Sequence, residues 1–123
     1  MALDVYVADT MGELGLFYRL AALAFLGGSL VAGVGGHNPL EPARLGRPFV
    51  SGPHCENWPV FEQLLALDAT RCVPASELGP IFAQALGDPS VFAEMAERAR
   101  KFVIEGDLAA RAGIDRVLEL LAE

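Results

Sequence analysis

The chain of 123 residues is 53% hydrophobic and 20% charged, which places it with single soluble globular domains and excludes disordered and fibrous chains. Nine basic against sixteen acidic residues give a net charge of −7, so nucleic acid, gripped without sequence preference through counterion release, is not an expected partner. An anionic ligand has to be held by local geometry instead.

In chain order, LDVYVADT (Leu3 to Thr10) is valine-rich and ends in an aspartate, which predicts a strand opening into a loop. MGELGLFYRLA follows with Leu14, Phe17 and Tyr18 at helical spacing, behind a Thr10-x-x-Glu13 start that matches a capping box. LAFLGGS (Leu23 to Ser29) is a continuous apolar run halted by glycines, as a strand buried on both faces would be. NPLEPARLG predicts a short helix with Gly46 near its end, RPFVSGP a strand, and NWPVFEQLLAL a helix that turns Val60, Phe61, Leu64 and Leu65 inward. ATRCVP is a further short strand. ASELGPIFAQALGD and PSVFAEMAERARKFVIEGD are amphipathic helices with Gly87 and Gly106 as expected stops, and Asp107 is expected to start a last helix. Alternating elements of these lengths imply a mainly parallel sheet covered by helices.

Several classes of site are disfavoured. Cys55 and Cys72 are too few for a disulfide framework and are read as buried or inert thiols of a reducing compartment. His54 and Cys55 are adjacent and no CxxC or HxxxH spacing occurs, so no metal is expected. The first residues lack the basic and apolar regions of a signal peptide, and the apolar stretch Leu20 to Gly36 is broken by Ser29 and by five glycines, so it does not read as a spanning helix. His54, beside Pro53, reads as structural, and Arg44, Arg47, Arg71, Arg98 and Arg100 as solvated surface.

The unusual residues concentrate between 27 and 59, in loops that follow strands, where open α/β sheets bind ligands. GGSLVAGVGGHN offers uncrowded backbone N–H groups to a phosphate, yet it is neither a P-loop nor GxGxxG; a plain strand-to-helix turn explains its glycines equally well. In Asn38-Pro39-Leu40-Glu41-Pro42, Asn38 suits an N-cap, Pro39 the first helical position, and Glu41 a capping box. Pro42 does not fit that scheme, so the helix is expected to begin nearer Glu41, leaving a carboxylate free to accept two hydrogen bonds from a vicinal diol such as a ribose. DTMGEL is a second loop-to-helix start, with Gly12 permitting close approach.

Together, DTMGELGLFYRLAALAFLGGS and GGHNPLEPARLGRPFVSGPHCENW, from about Asp9 to Trp58, resemble the C-terminal part of bacterial 3-deoxy-D-manno-octulosonic acid (Kdo) transferases. Those enzymes add Kdo to the lipid A precursor in lipopolysaccharide biosynthesis. The resemblance implies a fragment of the C-terminal domain of a GT-B glycosyltransferase, one α/β domain over 1–123 with a partial Rossmann-like parallel sheet flanked by helices. It implies CMP-Kdo as donor, with Met11, Gly12, Glu13, Asn38, Pro39, Leu40 and Glu41 lining the CMP site, Glu41 accepting from the ribose, and Ser29, Gly35, Gly36 and His37 around a phosphate turn. It implies no metal and no cofactor. The acceptor would bind through an N-terminal domain outside this stretch, along with the catalytic base, so no catalytic residue is expected here and the fragment alone is expected to be inactive. The parent would work at the cytoplasmic face of the inner membrane, the fragment being soluble.

Two departures from the family pattern are visible. The connector LVAGVGG is longer and lacks a frequent basic residue, and Trp58 stands where phenylalanine is common. A sheet lacking the first Rossmann strands would leave DVYVA without a neighbour and LAFLG at an edge, so a changed strand order or self-association is expected. The alternative reading is a non-catalytic α/β binding or interaction module without nucleotide affinity.

Overall fold

The computed structural model describes residues 4–123. Its elements are helix α1 (Leu14–Leu20), strand β1 (Ala24–Leu26), helix α2 (Leu40–Arg44), strand β2 (Phe49–Ser51), helix α3 (Val60–Ala66), strand β3 (Arg71–Cys72), helix α4 (Ala75–Gly87), a 3₁₀ turn (Pro89–Phe92) and helix α5 (Ala93–Ala122). The strands pair in parallel in the order β1-β2-β3, with Leu26 opposite Ser51 and Ser51 opposite Cys72. The small parallel α/β sheet flanked by helices is thus as the alternating pattern predicts.

Short apolar strands need cover on both faces, and two clusters supply it. On one face Leu26 and Phe49 pack with Tyr18 of α1, Ala43 of α2, Phe61 and Leu64 of α3, and Ala99 and Val103 of α5. On the other, Val50 and Val73 pack with Leu23, Ile81 and Ala85 of α4, Phe92 and Met95. Phe49 and Phe61 meet edge to face with centroids 6.4 Å apart. Helix α5 therefore closes both halves of the core with its first three turns.

Helix ends follow local chemistry. Gly46 adopts φ +67° after α2, its N–H donating to the carbonyl of Ala43 and that of Arg47 to Pro42, which is a Schellman stop. Asp68 plays the same part after α3 at φ 52°, with Asp68 donating to Leu65 and Ala69 to Leu64.

Three expectations are corrected. The described part of the expected first strand, Asp4 to Thr10, forms none: Val5 and Val7 are 79% and 78% exposed, since no neighbouring strand offers a ladder. Leu3 lies outside the described residues, and β1 is left at the sheet edge. Gly106 does not stop a helix and Asp107 does not start one; both lie inside α5, a continuous helix of 30 residues. The capping box at Thr10 is replaced by a hydrogen bond from the Thr10 hydroxyl to the Glu13 carboxylate at 2.6 Å, and the start of α1 has no side-chain cap. Arg44, Arg71 and Arg98 are exposed, as expected of surface residues, and each also makes a contact: Arg44 holds Asp107 with Nη2–Oδ1 at 3.1 Å and Nε–Oδ2 at 3.3 Å, Arg71 covers the Phe92 ring, and Arg98 donates to the Asp68 carbonyl. Among the described residues no helix is long and apolar enough to cross a membrane.

Candidate functional site

At the carboxyl end of β1 lies a cleft of about 300 Å³ lined by Leu14 and Tyr18 of α1, Phe25, Leu26 and Gly27, and by His37, Asn38 and Glu41. One wall is apolar and the other polar, the usual make-up of a small-molecule site. The sheet places it where ligands bind in open α/β folds.

The polar wall is built by the short helix α2 and the turn before it. Asn38 Oδ1 accepts from the Leu40 N–H at 2.9 Å, an Asx-type cap two residues on. α2 begins at Leu40, and its first backbone bond runs from Ala43 N–H to the Pro39 carbonyl at 3.3 Å. Pro42 therefore stands among the initial residues whose N–H groups have no helical partner, so its missing donor costs nothing. The expected capping box does not form, because Asn38 is satisfied by Leu40 and no hydrogen bond ties Glu41 to it. Glu41 instead faces the cleft, as Pro42 suggests. Pro39 and Pro42 are fully buried and Leu40 packs against the core, so these three position the turn with their side chains.

Tyr18 faces Glu41 across the cleft. Burial pushes the phenol pKa above its ordinary value, and the Glu41 carboxylate adds to that by opposing a second negative charge. The cleft thus carries a neutral hydroxyl and a carboxylate together.

The glycine turn is held by three hydrogen bonds. Gly35 and Gly36 sit at φ +85° and +82°, a region that side chains rarely adopt. The Gly36 N–H donates to the Gly28 carbonyl at 2.9 Å, and Asn57 donates from its backbone to Gly35 and from Nδ2 to Val34. Among the described residues the N–H groups of His37 and Asn38 make no hydrogen bond, and both residues are exposed and line the cleft, so these amides are open to a ligand. Ser29 lies beneath the turn, fully buried. Its hydroxyl donates to the Leu26 carbonyl at 2.6 Å and accepts from Gly52 N–H at 2.8 Å, which makes it a tie between the loops after β1 and β2.

Of the residues singled out in the sequence, His37, Asn38 and Glu41 converge on the cleft, with Gly35 and Gly36 behind them. Met11, Gly12 and Glu13 are exposed before α1 and do not line it; Leu14, next along, does. His54 does not line it either, and its Nδ1 lies 3.3 Å from Glu56 Oε1. The sequence reading missed Tyr18 and Phe25 as wall residues and Asn57 as the clamp. The four-residue spacing of Leu14 and Tyr18 was the available signal, since it puts both on one face of α1.

No family model matches the chain. It is similar to the 3-deoxy-D-manno-octulosonic acid transferase of Bordetella pertussis, with 34% identity over 116 residues covering 93% of this chain and 26% of that protein. It is 32% identical over 107 residues to the enzyme of the same name from Chlamydophila psittaci, covering 86% of this chain and 25% of the relative. The chain spans about a quarter of the length of these curated relatives. The fold is similar to the crystal structure of the C-terminal CMP-Kdo binding domain of WaaA from Acinetobacter baumannii, with a TM-score of 0.73 and 36% identity, over 82% of this chain and 53% of that one. In sequence and in fold, then, the chain is a homologue of the Kdo transferases and matches part of their C-terminal domain, as the linked motifs from Asp9 to Trp58 imply.

Proposed function

We propose that the cleft between α1 and the His37–Glu41 turn binds the CMP moiety of CMP-Kdo, and that the protein to which this stretch corresponds transfers Kdo from that donor to a lipid A precursor. The observation that carries the reading is the convergence of His37, Asn38 and Glu41 with Tyr18 and Leu14 in one cleft, in a chain similar to a CMP-Kdo binding domain.

Each part of the cleft suits part of the donor. The Glu41 carboxylate, an acceptor only, takes the two hydroxyls of the ribose. The N–H groups of His37 and Asn38 meet the phosphate, which matters because the cleft contains no lysine or arginine. α2 is too short for a large dipole, so directed amides do this work. Leu14, Tyr18 and Phe25 give an apolar wall to the nucleoside. Met11, Gly12 and Glu13 would join from the approach to α1, as Gly35 and Gly36 do from behind the turn.

In the reaction an acceptor hydroxyl attacks the anomeric carbon of Kdo and CMP departs. Amides aimed at the phosphate stabilise the charge that gathers there as the bond breaks. The general base and the lipid A precursor site are assigned to parts of a longer protein working at the inner membrane, so these 123 residues by themselves bind donor without transferring it. Calorimetric titration with CMP tests the reading. Glu41→Gln keeps the shape but replaces one acceptor oxygen with a donor, so binding should weaken about tenfold for a charge-assisted pair. Equal affinity of wild type and variant would sink the assignment of Glu41.

A further inference from the structure

The two cysteines are not both buried: Cys55 is half-buried and Cys72 exposed. β3 alternates its side chains. Arg71 stacks on Phe92 and Val73 packs in the Val50 cluster, so Cys72 between them points to the opposite face. That is the face on which Cys55 packs, among the residues around Phe61 and Leu64. Both thiols also lie at the carboxyl end of the sheet: Ser51 of β2 is the register partner of Cys72, and Cys55 is in the loop that leaves β2. Facing the same side of the sheet at its carboxyl end, Cys55 adds to burial in raising the Cys72 thiol to about 11.

The loop holding Cys55 also holds the glycine turn. A Cβ on Gly36 would lie 3.2 Å from Cys55 Cα and 3.3 Å from the His54 carbonyl oxygen, and Asn57 carries the hydrogen bonds to Val34 and Gly35. Whatever restrains Cys55 restrains the turn.

We propose that Cys55 and Cys72 are a dithiol modification site that small-molecule disulfides oxidise to an intramolecular disulfide, tethering the His54–Asn57 loop, and through it Gly35 and Gly36, to β3. The Cys55 thiolate attacks one sulfur of the reagent, forming a mixed disulfide and releasing one thiol. That attack removes the part of the rise in the Cys72 thiol that comes from Cys55, leaving the part due to burial. The Cys72 thiolate then attacks Cys55 sulfur, the mixed disulfide breaks, and a second reagent thiol leaves. Two electrons pass to the reagent and the two cysteine protons end on its thiols.

The probe is oxidised glutathione, applied to the whole chain and followed by intact mass, peptide mapping and amide hydrogen exchange. The expected product is a monomer lacking two hydrogens, with Cys55 and Cys72 in one linked peptide, restored by reductant. Exchange should slow at Gly35, Gly36 and His54–Asn57, while Cys72→Ser should stop at a single glutathione adduct. No reaction, linked dimers or adducts that never resolve would overturn the site. A disulfide that leaves exchange at Gly35 and Gly36 unchanged would overturn the tether. None of these readouts depends on nucleotide binding.

Discussion

Asn57 holds the carbonyls of a glycine turn that it follows by more than twenty residues: its Nδ2 donates to Val34 at 2.9 Å and its backbone N–H to Gly35 at 3.1 Å. The side-chain bond is exposed, so it contributes about 0.5–1.5 kcal/mol, and its effect is mainly on where the turn sits. Asn57→Ala should raise the Kd for CMP up to about tenfold while the melting temperature falls only a few degrees. Calorimetric titration beside a thermal melt separates the two effects.

The Ser29 and Gly52 loops meet more tightly. A Cβ on Gly52 would lie 2.3 Å from the Ser29 carbonyl oxygen, a backbone atom that cannot step aside. Ser29→Ala leaves the buried Gly52 N–H and Leu26 carbonyl one partner short, at a cost of about 1–3 kcal/mol. Gly52→Ala should be the more damaging of the two, because the loops themselves must part. Denaturant melts that rank Ser29→Ala below Gly52→Ala in stability would contradict this packing.

Alkaline pH should destabilise the fold. Tyr18 has its pKa raised, chiefly by burial and then by Glu41, and Cys72 is raised to about 11 from 9.0. A group raised on folding contributes stability that is fully present below its unfolded value and is lost as pH rises through the folded one. Stability should therefore decline from about pH 9, as the unfolded chain can ionise Cys72 and Tyr18 where the fold resists it. Ultraviolet titration of the phenols should find Tyr18 ionising late, and Glu41→Gln should bring it partly back, burial remaining.

Gly106 gives a test on α5. It lies inside that helix, and a Cβ added there meets no atom within 4 Å. Gly106→Ala should therefore raise helix content and add about 0.5–1 kcal/mol, read by far-ultraviolet circular dichroism and a melt. A loss of helix would mean that the chain turns at this point.

This glycine also marks what a sequence can and cannot convey. A helix stop was expected at Gly106 because glycine ends many helices, but an exposed interior glycine costs only about 1 kcal/mol. Side-chain pairs offset that: Lys101 with Glu105 along the helix, and Asp107 with Arg44 across to α2. The second pair joins residues far apart in the chain, and no local pattern announces it. DVYVA failed for a related reason, since a strand exists only beside another strand. Ala24–Leu26 and Phe49–Ser51 were legible because continuous apolar runs bounded by glycine and proline have few other uses.

The site was legible in the same proportion. Pro42 signalled a helix starting late enough to free Glu41, and Glu41 does line the cleft. Tyr18 read only as one of the helically spaced residues of α1, because the packing of α1 against α2 decides which of its faces meets Glu41. Ser29 read as part of a phosphate turn because its role depends on Gly52, a contact made only when β1 and β2 are side by side.

CMP binding in the cleft at the end of β1 is the property on which the proposed function stands. Titration of the labelled chain with CMP, followed by amide chemical shifts, tests it most directly. Shifts that saturate and cluster on Leu14, Tyr18 and Gly36 to Glu41, with the largest at His37 and Asn38, are the expected result. No shifts at millimolar CMP, or shifts that saturate elsewhere and leave His37 and Asn38 unmoved, would contradict it.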